Sequence, residues 1–273
     1  MPVNSSRFNL NLCLISLNLL LVSPAFGALP ALSESQQQWL GDRVFANECN
    51  NQISCLTSWN RGENFPSLGI GHFIWYQAGQ TEAFTQSFPL LLAFYRQQAI
   101  ALPDWLAATA STGSPWPDRD AFYAAFDGPE LTSLRAFLAT TRMVQVEFMW
   151  QRLEQSLPRL LELTDPSRRA AIEALFYAIA NTRPPQGVYA LLDYVNFKGE
   201  GIASSEQYQG QGWGLRQVLE AMPESTEAAP DLLSQFSRTA AKILQRRVAN
   251  APQERDEQRW LAGWLKRVAS YNQ

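Results

Sequence analysis

The sequence predicts an α+β fold that is mainly α, with a small N-terminal β-hairpin lobe followed by a larger helical lobe. Three observations lead there. One short segment, Leu56 to Tyr76, carries β-branched and aromatic residues around a polar turn. Nearly everything after it places Leu, Ala and aromatics at helical spacing. The chain of 273 residues shows no internal repeat or low-complexity segment, and its length beyond a leader suits one large domain.

The first 27 residues read as a secretory signal peptide. Arg7 supplies the positive start, Leu10 to Val22 the apolar stretch, and Ser23-Pro24 the helix break. Ala25-Phe26-Gly27 offers the small residues a signal peptidase needs before Ala28. A membrane anchor would need about 20 predominantly apolar residues, whereas Asn11, Ser16 and Asn18 interrupt a shorter run. Residues 28–273 are then expected to form one domain, periplasmic or secreted, with no stable membrane insertion after cleavage.

From Ser33 to Asn47 the pattern is helical. Ser33 and Gln36 can form a capping box, and Leu40, Val44 and Glu48 fall four apart on one face. Thr57-Ser58-Trp59 and Leu68 to Tyr76 flank the turn Asn60 to Asn64, which predicts a hairpin. Helices are predicted near Glu82–Ala99, Pro129–Ala139, Met143–Leu157, Ser167–Ala180, Gln186–Tyr194, Asp231–Val248 and Gln253–Tyr271. Ala108 to Asp118 reads as a surface loop, and Asn196 to Gly212 as a second irregular stretch rich in Gly, Glu, Gln and Ser.

Several chemistries are excluded. With a formal net charge of −3 and no basic run, nothing points to nucleic acid. The one histidine, His72, cannot build a zinc site alone, and no Gly-x-Ser-x-Gly elbow accompanies it. Once Cys13 leaves with the leader, Cys49 and Cys55 remain, and an oxidising compartment favours their pairing. An enzyme built from these residues works with carboxylates and needs no metal or cofactor.

Glu48 is the first candidate. A carboxyl on the inward side of a helix end is partly desolvated, which favours the protonated form a general acid requires. A Cys49–Cys55 bridge would fix that helix end against the hairpin. The plainer reading is a solvated glutamate at a helix terminus.

Read together, Glu48, the strand around Trp59, and Ser67-Leu68-Gly69-Ile70-Gly71-His72 resemble the catalytic segment of phage-type lysozymes. In that family a catalytic Glu ends the first helix, and a hairpin leads to Thr-x-Gly-x-Gly-His; Ser67 stands where that Thr stands. The resemblance implies a lysozyme-like fold and cleavage of the β-1,4 glycan of peptidoglycan, with Glu48 as proton donor and His72 structural. Gly69 and Gly71 would let the strand backbone pass close to the acid's helix and to a bound sugar. Arg168 to Ile172 and Leu244-Gln245-Arg246-Arg247 resemble later family helices more faintly.

Two departures from the family pattern matter. Its second carboxylate, an Asp six residues before the Thr, falls here on Arg61; Glu63 lies in the same turn, and Asn60 could hold a water. Either the role has moved or the enzyme works with one acid, as lytic transglycosylases do when the sugar's own hydroxyl attacks. The second departure is the stretch from Asn196 through Trp213, which carries Glu200, Glu206, Tyr208 and Trp213. Its amides and aromatics suit sugar binding, and either glutamate could supply the missing carboxylate; an ordinary polar surface loop is the alternative. Catalytic roles thus fall to Glu48, Ser67 and Glu63, and substrate contacts to Trp59, Asn60, Gly69, Gly71, His72, Glu200, Glu206, Tyr208 and Trp213. The expected partner is peptidoglycan or a related β-1,4 glycan, and the expected state a monomer. A chitin- or chitosan-cleaving enzyme and a catalytically inactive glycan-binding envelope protein are the rival readings.

Overall fold

The structure is a computed structural model that describes residues 27–82, 85–223 and 231–273. Most of the leader lies outside the described residues. Ser33 opens helix α1 (Glu34–Cys49) with both halves of the expected capping box, and Asn50 in the left-handed region closes it. A 3-10 turn, Ile53–Leu56, then leads into a three-stranded antiparallel sheet, β1 (Thr57–Ser58), β2 (Ser67–Leu68) and β3 (Phe73–Ile74). Thr57 pairs with Leu68 and Ser67 with Ile74, so each strand contributes only two ladder residues. The expected hairpin is present and gains a third strand, because the chain folds back across Gly69 to His72.

The helical body follows as α2 (Phe88–Gln97), α3 (Asp104–Thr109), α4 (Arg119–Ala124), α5 (Pro129–Thr140), α6 (Arg142–Glu162), α7 (Arg169–Ala180) and α8 (Gln186–Lys198). A two-residue ribbon, β4 (Gln207–Tyr208) and β5 (Gln211–Gly212), precedes α9 (Leu215–Ala221), α10 (Leu232–Asn250) and α11 (Gln258–Ala269). The molecule is mainly helical with small antiparallel sheets. Helix α6 packs along α1, and α10 along α11. A continuous apolar core joins the two regions, from Leu40, Leu68 and Phe73 through Leu153 and Phe176 to Tyr194, Phe236 and Leu244. Among the described residues no helix is long and apolar enough to cross a membrane.

Several predicted boundaries shift. Helix α6 runs through Pro158 to Glu162 instead of ending at Leu157; Pro158 faces solvent, so losing one helical N–H bond there leaves no polar group buried. Helix α8 continues to Lys198 and stops only at Gly199, whose φ of 88° suits glycine. Asn196 is therefore helical. The ribbon turns at Gln209 and Gly210, both at positive φ, as a tight hairpin requires. Near the C-terminus the single predicted helix is broken, because Asp256 adopts a left-handed φ of 45° before α11 begins. Helices α3 and α4, anchored by buried Leu106 and Phe122, and α9, anchored by Leu215, Val218 and Leu219, are additions to the sequence reading.

Candidate functional site

At the end of α1, Cys49 bridges to Cys55 with Cα atoms 5.3 Å apart. The bond ties the helix terminus to the segment entering β1, and Cys55 Sγ lies 3.4 Å from the Glu48 carbonyl. His72 Nε2 sits 3.9 Å from the same sulfur. These three side chains have metal-ligand composition, but both sulfurs are bonded to each other and offer no thiolate.

The Glu48 side chain is only 12% exposed. Its Oε1 accepts from Arg267 of α11 and, at 3.2 Å, from Asn196 Nδ2 of α8. Its Oε2 makes no hydrogen bond among the described residues. Arg267 is held from behind by Asp193, a fully buried carboxylate that takes Nε at 2.8 Å and an Nη at 2.7 Å. Asp193 also accepts from Tyr271 at 2.7 Å and Asn47 at 3.1 Å. Burial works against the Arg267 charge, yet the Asp193 bonds and the Asp193 and Glu48 charges outweigh it and raise its pKa. Burial, followed by the Asp193 charge, likewise holds the Tyr271 hydroxyl protonated. Two carboxylates thus share one guanidinium, with Asp193 taking the bidentate geometry that suits arginine.

A cleft opens on the far side of Asn196, and Glu48, Asp193 and Arg267 are not among the residues lining it. Its inner cavity, about 250 Å³, is bounded by Gly71, His72, Leu153, Asn196 and Glu200, with Arg152 across from the hairpin. The outer cavity, about 770 Å³, shares Arg152, Val195 and Glu200 and extends along α2, α6 and the stretch after α8. Glu200 accepts from Arg159 at 3.3 Å. Burial raises its pKa, while Arg159 and Arg152 pull it back.

The remaining sequence candidates divide. Glu63 is half-buried, and burial raises its pKa against the Asn60 bond of 3.2 Å. With Trp59 it faces a separate cavity of about 500 Å³, beyond the hairpin turn. Trp59 itself is 2% exposed, and its indole donates to the Glu63 carbonyl at 2.7 Å. Ser67 is buried in the middle strand and lines neither part of the cleft. Gly69 does approach closely, but to α6 and not to the acid's helix: a Cβ there would strike Gln145, whose Oε1 accepts from Ile70 N–H at 2.9 Å. Gly71 is pressed instead against the Phe73 ring.

Three residues of the stretch after α8 are committed to structure. Glu206 Oε2 accepts from the backbone N–H groups of Gly201, Ile202 and Ala203, at 2.7, 3.0 and 3.3 Å. Tyr208 donates to Glu257 at 2.9 Å, and Trp213 lies buried beneath Arg247, 4.0 Å from its ring centroid. Arg246 and Arg247 of the faint family match hold this ribbon, binding Gly212 and Glu257.

Sequence reasoning missed Asp193, Asn47 and Arg267. Asp193 carried a signal, being the single charged residue between Arg183 and Lys198 in an apolar helix; a lone acid there must find partners. No protein-family model, curated protein or solved structure matches the chain.

Proposed function

We propose that the chain is an exported, lysozyme-like enzyme that cleaves the β-1,4 glycan of peptidoglycan, with Glu48 as proton donor. The observation that carries this reading is the posture of Glu48. One oxygen is fixed by donors from α8 and α11, the other makes no hydrogen bond among the described residues, and Asn196 links the carboxyl to the wall of the neighbouring cleft, whose lining does not include Glu48 itself. A general acid must be held rigidly and must carry its proton on a free oxygen.

Cleavage then begins with transfer of that proton to the glycosidic oxygen, so that the departing sugar leaves as an alcohol. Glu200 is the second carboxylate of this scheme, since it lines both cavities and stands on the wall next to Asn196. It would position water against the anomeric carbon or stabilise positive charge there; attack by the sugar's own hydroxyl would give a 1,6-anhydro end instead. Glu63 faces another cavity and serves the hairpin turn.

Dye-labelled peptidoglycan tests this reading. Residues 28–273 should release soluble fragments, and Glu48→Gln should retain wall binding while release falls about 10²–10⁴-fold, the usual worth of a general acid. Wall binding with no release by the unmutated protein would overturn the enzyme reading in favour of a glycan-binding module.

A further inference from the structure

Arg152 is unemployed by the scheme above, yet it occupies the junction of the two cavities and lines both. It is half-buried on α6, and its one close partner is the Phe148 ring, 5.7 Å away. A guanidinium presents five N–H donors, and none of these meets an acceptor among the described residues. The carboxylates nearby are already engaged. Glu200 is bonded to Arg159, and Glu206 to three backbone N–H groups. Burial lowers the Arg152 pKa, and the charge of Glu200 only partly restores it. Such a group gains most from an arriving anion, and the fork of an arginine matches a carboxylate. Gln151 and Gln155 stand beside it on the same wall, with amides suited to sugar hydroxyls and acetamido groups.

We propose that Arg152 binds a carboxylate of the substrate, so that the cleft selects β-1,4 glycans bearing acidic substituents over neutral ones such as chitin. This rests on the glycan-cleaving reading and names its substrate class. The acid is the lactyl carboxyl of an N-acetylmuramyl unit, or the first carboxyl of a peptide attached there. Its oxygens take the donors that the protein leaves open at the cavity junction.

Calorimetric binding of two peptide-free tetrasaccharides tests the assignment, in protein carrying Glu48→Gln so that neither is cut. One alternates N-acetylglucosamine and N-acetylmuramic acid; the other is chitotetraose. The acidic sugar should bind about ten- to hundredfold tighter, the worth of a charge-assisted hydrogen bond. Methyl esterification of its carboxyls should remove that advantage, and so should Arg152→Gln, which should leave chitotetraose affinity within about twofold. Arg152→Lys, which keeps the charge but loses the fork, should retain part of it. Equal binding of the two sugars, or a variant that weakens both alike, would overturn the role of Arg152. Fragment release from peptidoglycan by the unmutated protein would still uphold the glycan-cleaving reading in that event. Failure of the acidic sugar to bind would likewise overturn the role of Arg152, and the absence of fragment release from peptidoglycan would remove the glycan-cleaving reading as well.

Discussion

Asp193→Asn should destabilise the protein out of proportion to the single atom exchanged. Asp193 is 0% exposed and accepts four hydrogen bonds, two from Arg267 and one each from Tyr271 and Asn47. Asparagine keeps the shape but presents an amide N–H₂ to groups that are themselves donors, and it leaves Arg267, 16% exposed, without its main counter-charge. Breaking a buried pair costs roughly 3–5 kcal/mol. Glu48 remains bonded to Arg267, which places the expected loss near the lower end, about 3 kcal/mol. For a domain of this size that lowers Tm by roughly 6–12 °C. Thermal unfolding of residues 28–273 followed by circular dichroism reads it directly. Because removing all the charges of a buried cluster is far milder than removing one, Asp193→Asn combined with Arg267→Met and Glu48→Gln should recover part of the loss, leaving no member of the trio unpaired. A drop below about 1 kcal/mol, or strictly additive losses in the combined variant, would refute the claim that Asp193 anchors Arg267 and through it Glu48.

Cys49→Ser with Cys55→Ser should cost about 2 kcal/mol by the chain-entropy estimate and should lower fragment release further, since the bridge ties Glu48 to the hairpin. Gly69→Ala should cost about 2–4 kcal/mol, because φ is 71° and a Cβ displaces the Gln145 amide from Ile70 and Leu138. Chemical denaturation measures both. Lys198→Met should be stabilising at pH 7. Burial, then the charge of Arg247, pushes the Lys198 pKa down to about 6, against the opposing charge of Glu257. Between about pH 6 and the ordinary lysine value the unfolded chain holds a proton that the folded chain lacks, so the protein gains stability as pH rises. The advantage of Lys198→Met should therefore shrink from pH 6 to pH 10 in a Tm series, and a pH-independent advantage would count against the burial argument.

What was legible in the sequence was local. The capping box at Ser33 and Gln36, the Cys49–Cys55 bridge and the turn around Asn60 each depend on residues within a few positions, where geometry is set by the chain itself. Pro158 and Asn196 misled for the same reason, since both read as helix ends, while tertiary packing carries α6 and α8 onward. The aromatics of the irregular stretch looked like sugar platforms, but Trp213 and Tyr208 are consumed by Arg247 and Glu257, a pairing no spacing announces. Arg267 lies 219 residues from Glu48 and had no visible tie to it. Asp193 was the one clue, a charge stranded among apolar neighbours. Glu200 was visible as a candidate carboxylate, but its place on the cleft wall required the fold.

Digestion of purified peptidoglycan in H₂¹⁸O, with the released fragments read by mass spectrometry, tests the central claim most directly. The account predicts cleaved β-1,4 bonds with the unmutated protein and none with Glu48→Gln. New reducing ends carrying ¹⁸O would mark hydrolysis, and unlabelled 1,6-anhydro ends the intramolecular route; either is consistent with Glu48 as the acid. Intact glycan strands after digestion by the unmutated protein, or equal cleavage by Glu48→Gln, would contradict it.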